Sequence, residues 1–132
     1  MRIIIPARRG SKGVPFKNRK LLPLTMETLP EKMLHKTIVS TNDEEIMKVV
    51  QEQYPECTIH ARSEQSCRDE SSMKECAVEV VNDLNIRYEH VAILYLTYPE
   101  RTWDQVEGAY KWFRDNLGKS LLCRQETLSH PF

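Results

Sequence analysis

Six cations and two glycines occupy residues 8–20 of the chain. The cations are Arg8, Arg9, Lys12, Lys17, Arg19 and Lys20. Gly10 and Gly13 lie among them, and glycine lets a backbone turn so that its N–H groups face a ligand. The first acidic residue is Glu27, so no nearby carboxylate along the chain offsets this charge. Because cations and exposed N–H groups bind phosphate oxygens, we expect a phosphate site in this loop.

The spacing within the loop does not identify which phosphate compound binds. It lacks the GxxxxGK[ST] pattern of P-loop proteins and the GxGxxG pattern of dinucleotide-binding folds. The alternative is a solvated basic loop without a ligand, since most runs of charge simply face water. We favour the phosphate site because of where the predicted fold places the loop.

Short apolar runs alternate with helical patterns along the chain. Strands are predicted at Ile3–Ile5, Thr37–Ser40, Cys57–His60, Val91–Leu96 and Ser120–Cys123. Most lack polar alternation, which is typical of strands buried on both faces. Strand and helix in alternation predict an α/β fold with a mainly parallel sheet, in which ligands bind outside the carboxyl ends of the strands. The cation loop follows the first of these strands.

Three helices are predicted from capping-box patterns that precede an apolar stripe. The patterns are Thr41 or Asn42 before Glu44 and Glu45, Ser72 before Glu75, and Thr102 before Gln105. The acidic residues at 43–45 have a second interpretation as metal ligands, but we favour a helix N-terminus, where carboxylates oppose the macrodipole. Residues 23–35 contain two prolines and predict a short, irregular helix.

Composition limits the class of protein. Nineteen Lys and Arg balance nineteen Asp and Glu over 132 residues, so no overall field attracts nucleic acid or a membrane surface. The apolar runs are too short to span a bilayer, and the N-terminus lacks the apolar region of a signal peptide. We expect a single cytoplasmic domain over residues 1–132, with no nucleic-acid or membrane partner.

Cysteine and histidine spacing indicates neither a disulfide framework nor a zinc site. The four cysteines form no CxxC pair and the four histidines form no HxxxH pair. We expect the cysteines to be reduced packing residues.

The opening motif also carries a family resemblance. IIIPARRGSKGVPFKN resembles IPARGGSKGIPGKN, the signature of the CMP-sialic acid synthetase (acylneuraminate cytidylyltransferase) family. IVSTNDEEI, ARSEQSCRDESS, ILYLTYPERTWDQVEGAYKWF and SLLCRQETLSHPF resemble later family segments in the same order. The resemblance implies a three-layer αβα, Rossmann-like fold of the nucleotide-diphospho-sugar-transferase type. It also implies transfer of CMP from CTP to an acidic sugar with release of pyrophosphate.

The same resemblance implies roles for individual residues. Arg8 and Lys17 hold the triphosphate and stabilise charge at its α-phosphate. The substrate-binding positions are Ser11, Lys12, Gly13, Asn18, Arg62, Ser72, Thr97 and Arg101. The first three of these line the phosphate loop, the fourth lies beside the nucleotide, the next two lie near the base and ribose, and the last two face the sugar. Mg²⁺ is the implied cofactor, and its ligands are not identified.

The resemblance corresponds to the N-terminal portion of family members, which continue beyond the segment similar to residues 120–132. Three hypotheses therefore stay open. The chain is a CTP:acidic-sugar cytidylyltransferase, a nucleotide-binding module without turnover, or a fragment that requires a partner chain. A homodimer is a further expectation that the sequence does not decide.

Overall fold

The computed structural model describes residues 1–7, 17–62, 73–86, 90–96 and 101–116. The chain divides into two compact units, residues 1–100 and residues 101–132, which we describe separately. The predicted strand at residues 120–123 and the predicted cap Ser72 lie outside the described ranges. A single domain over the whole chain stays a prediction.

The first unit alternates strands with helices along its described segments. In chain order these are β1 (Arg2–Ala7), α1 (Lys17–Glu27), a 3-10 helix (Glu31–Lys36), β2 (Thr37–Thr41), α2 (Glu44–Gln53), β3 (Thr58–Ala61), α3 (Met73–Asp83) and β4 (Val91–Ile93). The four predicted strands in this unit are confirmed to within a few residues at each end.

The strands form one parallel sheet in the order β3-β2-β1-β4. In its register Ile4 lies opposite Ile38 of β2 and Ile93 of β4. Because parallel crossovers are right-handed, this order places α1 and α2 on one face and α3 on the other. The predicted α/β fold with a parallel sheet in three layers is confirmed.

The core explains why β1 has no polar alternation. Ile3, Ile4 and Ile5 are all fully buried, so both faces of the strand are covered. On one face, Ile4 packs with Ile38 and with residues of α3 and the segment after it. The members from that side are Cys76, Val80 and Ile86. A strand covered in this way needs apolar residues at every position.

Helix α1 differs from our prediction. It begins at Lys17 and continues through Pro23 to Glu27, whereas we expected loop to residue 20 and an irregular helix from residue 23. Proline removes one helical hydrogen bond, and this normally disfavours an interior position. Here Leu22 and Met26 are 1% and 2% exposed, so burial of the helix face offsets the lost bond. The separate 3-10 helix accounts for the second part of the predicted segment.

The described part of the second unit is one helix, α4 (Trp103–Asp115). The predicted capping box is confirmed: the Gln105 N–H donates to Thr102 Oγ1 at 3.3 Å, and the Thr102 N–H donates to Gln105 Oε1 at 3.0 Å. In the segments that the structure describes, no helix has the length and apolar character required to cross a bilayer.

Two of the four cysteines lie in described segments. Cys57 and Cys76 are buried free thiols, as expected for reduced packing residues, whereas Cys67 and Cys123 lie outside the described part. Burial, and secondarily the charge of Glu56, raises the pKa of the Cys57 thiol to about 11. The thiolate is the reactive form, so Cys57 should be unreactive at neutral pH.

Replacing Ile4 by alanine tests the central position of β1. Because the side chain is fully buried, we expect Ile4→Ala to lower the free energy of unfolding by about 2–5 kcal/mol. Leu24→Ala is the matched control, since Leu24 is 47% exposed on α1 and should cost less than about 1 kcal/mol. Urea denaturation measures both. Equal losses would contradict this assignment of the core.

Alkylation of Cys57 tests the pKa of its thiol. In the native protein, the alkylation rate of Cys57 should keep rising with pH toward about 11, because only the thiolate reacts. In urea, the alkylation rate should level off near the ordinary thiol pKa of 9.0. The native state holds this proton more tightly than the unfolded state. The stability that the fold gains from this difference in thiol pKa is therefore complete below about pH 9 and is lost as pH rises toward about 11. Peptide mass spectrometry measures the rates, and a native plateau near 9 would contradict the prediction.

Candidate nucleotide site

The carboxyl ends of the four strands define one edge of the sheet, at Ala7, Thr41, Ala61 and Ile93. The strand order reverses direction between β1 and β4, and ligands of open α/β sheets bind in the crevice at such a point. The cation loop leaves β1 at this edge. Residues 8–16 lie outside the described part, so the roles predicted for Arg8, Ser11, Lys12 and Gly13 stay predictions.

The loop leads directly into the N-terminus of α1. Lys17 and Asn18 are the first two residues of this helix, and its first turn contains no acidic residue. The first N–H groups of a helix lack intrahelical partners and carry partial positive charge. The end of the loop therefore combines Lys17 with a helix N-terminus, an arrangement that attracts phosphate oxygens.

Arg19 makes a bidentate ion pair with Asp43. Its Nε donates to Asp43 Oδ2 at 2.7 Å, and its Nη2 donates to Oδ1 at 2.9 Å. The Asp43 side chain is 1% exposed and that of Arg19 is 33% exposed. We call this pair the α1–α2 clasp, because it joins the first turn of α1 to the residue that precedes α2.

The clasp corrects two predictions. We expected Arg19 to be one of the phosphate cations, but two of its donors are directed at Asp43. We expected Thr41 or Asn42 to cap α2, but the cap is Asp43, whose Oδ1 accepts the Glu45 N–H at 3.0 Å. The hydroxyl of Thr41 instead accepts the Asp43 N–H at 2.9 Å. The acidic run at residues 43–45 does form a helix N-terminus, as we favoured.

Sequence reasoning did not find the clasp. Its two residues are 24 positions apart in the sequence. Local spacing does not show which cation after β1 pairs with which of the polar residues after β2. Only the parallel pairing of β1 with β2 brings the ends of the two strands together.

Arg62 is a buried arginine at this edge. It follows β3, is 7% exposed, and its N–H donates to the Thr41 carbonyl at 3.0 Å. This position beside β2 agrees with a residue at the nucleotide side of the sheet. Its predicted contact with base or ribose stays a prediction.

Three further predicted site residues are Ser72, Thr97 and Arg101. Ser72 and Thr97 fall outside the described ranges. Arg101 begins the second unit, directly before the cap of α4, and is partly buried. The predicted contacts of these three residues stay predictions.

The buried carboxylate at the described strand ends does not fit a Mg²⁺ site. Asp43 is the buried one, and both of its oxygens accept hydrogen bonds from Arg19, with a third bond to the start of α2. Magnesium requires carboxylate oxygens that are not already committed to a cation. Glu44 and Glu45 belong to the first turn of α2. We derive no reaction step through Mg²⁺, which stays a prediction.

Removing Arg19 tests the clasp. Arg19→Ala leaves the Asp43 carboxylate 1% exposed without its bidentate partner, so we expect the free energy of unfolding to fall, because a buried carboxylate without an opposite charge is costly. Lys20→Ala is the matched control, because Lys20 is the next residue of α1 and is exposed, and its loss should be below about 0.5 kcal/mol. Urea denaturation compares the two. Similar values for both variants would show that the clasp does not stabilise the fold.

Comparison with known proteins agrees with the arrangement of loop and sheet. The model of the family described as cytidylyltransferase matches residues 2–97. Two curated relatives are the pseudaminic acid cytidylyltransferases of Campylobacter jejuni subsp. jejuni serotype O:2 and serotype O:23/36, at 32% and 31% identity. Each alignment covers 93% of this chain and 57% of the relative. The chain thus spans just over half the length of these relatives.

The matched range contains the four described strands, the cation loop and the α1–α2 clasp. The family match and the fold therefore identify the same region of the molecule, and the chain belongs to the cytidylyltransferase family.

Proposed function

We propose that this chain binds CTP at the carboxyl edge of its sheet, and that it serves in the transfer of CMP to an acidic sugar of the pseudaminic or sialic acid kind. The observation that carries this proposal is the cation loop, which joins the end of β1 to the acid-free first turn of α1. The names of both relatives support the nucleotide and the sugar class.

The reaction makes one bond and breaks one bond at the α-phosphorus. A hydroxyl oxygen of the sugar attacks this phosphorus, the bond to the β-phosphate oxygen breaks, and pyrophosphate leaves while the hydroxyl proton passes to solvent. Negative charge grows on the leaving oxygen, and nearby cations lower its energy. Arg8 and Lys17 are the residues we assign to this stabilisation. Ser11, Lys12, Gly13 and Asn18 would hold the nucleotide in line.

The clasp has an indirect part in this proposal. By binding Asp43, Arg19 fixes the start of α1 against the end of β2. Lys17 is two residues earlier on the same helix, so the clasp would hold its backbone at the crevice. Fixed positioning of charged groups before reaction is the main source of catalysis in such transfers.

A second hypothesis is a chain that binds nucleotide without turnover unless another chain supplies the missing groups. The hydrogen bonds of Asp43 favour it, because they leave this buried carboxylate of the described strand ends unavailable to a metal. A homodimer or a partner chain would supply carboxylates for a metal instead. We place either activity in the cytoplasm, since CTP is an intracellular nucleotide.

Calorimetric titration tests the nucleotide site. We expect CTP to bind more tightly than ATP or GTP, and Arg8→Ala and Lys17→Ala each to weaken it by about 10-fold or more, the effect of losing one charge-assisted hydrogen bond. Lys20→Ala is the control, an exposed cation of α1 to which the family resemblance assigns no contact with the nucleotide. All titrations contain MgCl₂, so that the form of the nucleotide is constant.

The outcomes separate the hypotheses. CTP binding with pyrophosphate release on addition of pseudaminic or sialic acid supports the transferase, and binding without release supports the second hypothesis. If the folded chain binds no CTP, or if Lys20→Ala weakens binding as much as the loop variants, the proposed site is wrong.

A further inference from the structure

A cluster of side-chain types that commonly bind metal ions lies between β3 and α3. His60 Nε2 is 2.7 Å from Asp83 Oδ2 and 3.9 Å from Glu79 Oε1. One atom from each of the three residues lies within 4.8 Å of the other two. Glu79 and Asp83 are four residues apart on α3 and so share one face of that helix. The cluster therefore combines one imidazole with two carboxylates from a second element.

The imidazole is held in a fixed orientation from its other side. His60 Nδ1 is 2.8 Å from Ser40 Oγ on β2, and the Cys76 thiol donates to the same oxygen at 3.6 Å. His60 itself is only 5% exposed. Histidine ligands of metal ions are oriented in this way, by a hydrogen bond from the ring nitrogen that does not bind the ion.

The hydroxyl of Ser40 fits both states of the ring. When Nε2–H donates to Asp83, Nδ1 accepts a hydrogen bond from Ser40. When a metal binds Nε2, the proton lies on Nδ1, which donates to the same oxygen. A serine can serve as donor or as acceptor, so the ring changes tautomer without losing a partner. This exchange requires no movement of the backbone.

The distances suit a small divalent ion. Zinc binds imidazole nitrogen and carboxylate oxygen at about 2.0–2.2 Å, which places neighbouring ligand atoms of a tetrahedral site about 3.4 Å apart. The two separations from His60 Nε2, 2.7 Å and 3.9 Å, lie on either side of that value. Small rotations of the two carboxylates are therefore sufficient to build the site.

Exposure rises across the cluster toward solvent. The side chains of His60, Glu79 and Asp83 are 5%, 20% and 56% exposed. An ion can enter from the Asp83 side, and with three protein ligands a fourth position is left for water. Because the ligands come from β3 and α3, no local spacing along the sequence reveals them.

We propose that His60, Glu79 and Asp83 form a binding site for a divalent first-row transition ion, with Zn²⁺ the preferred ion. The mixed nitrogen and oxygen ligands favour such ions over Mg²⁺ or Ca²⁺, which take oxygen ligands. The site is proposed independently of the Mg²⁺ expected with CTP, whose ligands are not identified. Its bound ion cross-links β3 to α3, the two elements that flank residues 63–72.

Cobalt replaces zinc as a spectroscopic probe in the test. We expect the purified chain to bind Co²⁺ saturably, with the visible d–d bands of a tetrahedral site and no thiolate charge-transfer band, and Zn²⁺ to displace it. Zn²⁺ should also raise the melting temperature, because an ion that binds the folded state stabilises it by mass action.

Asp83→Asn and Glu79→Gln should each weaken Co²⁺ binding by about 10-fold or more, and Ser40→Ala by a similar factor through loss of ring orientation.

Two variants with no ligand role serve as controls. Glu52→Gln removes an exposed carboxylate of α2, and His35→Gln removes an exposed histidine of the 3-10 helix. Neither should change the cobalt spectrum. Circular dichroism of each variant confirms that it is folded, and Asp83→Asn keeps a side chain that can still hydrogen-bond His60.

Several results overturn the proposal. They are an absence of saturable cobalt binding, a thiolate charge-transfer band, or a spectrum that survives in the double variant with Glu79→Gln and Asp83→Asn. Loss of the spectrum in His35→Gln would assign the ion to a surface histidine instead. In each of these cases His60 and Asp83 are an ordinary hydrogen-bonded pair that joins β3 to α3.

Discussion

The central strand β1 is hydrogen-bonded on both edges and buried on both faces, and the rest of the fold is arranged around it. Its register with β2 brings Ala7 opposite Thr41, so the chain leaves both strands at the same level of the sheet. The cation loop starts from one of these ends and α2 from the other. An apolar strand that carries no chemistry of its own thus determines where the charged residues meet.

The clasp between Arg19 and Asp43 uses this proximity. Burying a carboxylate costs several kcal/mol unless hydrogen bonds and an opposite charge compensate it. Asp43 obtains both, from the guanidinium and from the first turn of α2. The same carboxylate therefore stabilises a helix terminus, holds α1 in place and is unavailable to a metal ion. A residue whose type suggests chemistry has a structural role here.

Sequence reasoning found the elements whose determinants are local. The apolar runs predicted the four described strands, and Thr102 with Gln105 predicted the start of α4. It failed where distant contacts decide the outcome. The beginning of α1 was missed because burial of Leu22 outweighs the local effect of Pro23. The cap of α2 was assigned to the wrong one of three successive polar residues, because only Arg19 distinguishes Asp43 from its neighbours.

The candidate site likewise combines features that local sequence predicts with contacts that only the fold brings together. The strand prediction placed the start of the cation loop at the carboxyl end of β1, because the apolar run that forms β1 is contiguous in the sequence. The pairing of Arg19 with Asp43 and the grouping of His60 with two residues of α3 depend on the fold. They join residues about 20 positions apart or more, which no motif of fixed spacing describes.

The strand order also sets a sequence of events during synthesis. β1 gains its first neighbour when β2 emerges from the ribosome, but the neighbour on its other edge is residues 91–93. At roughly 5–20 residues per second, the edge of β1 next to β4 stays open for several seconds on a translating ribosome. An open apolar strand edge recruits other chains readily. The nascent protein is therefore most prone to mispairing in the interval before β4 arrives, and the crevice at the end of β1 is completed only after it.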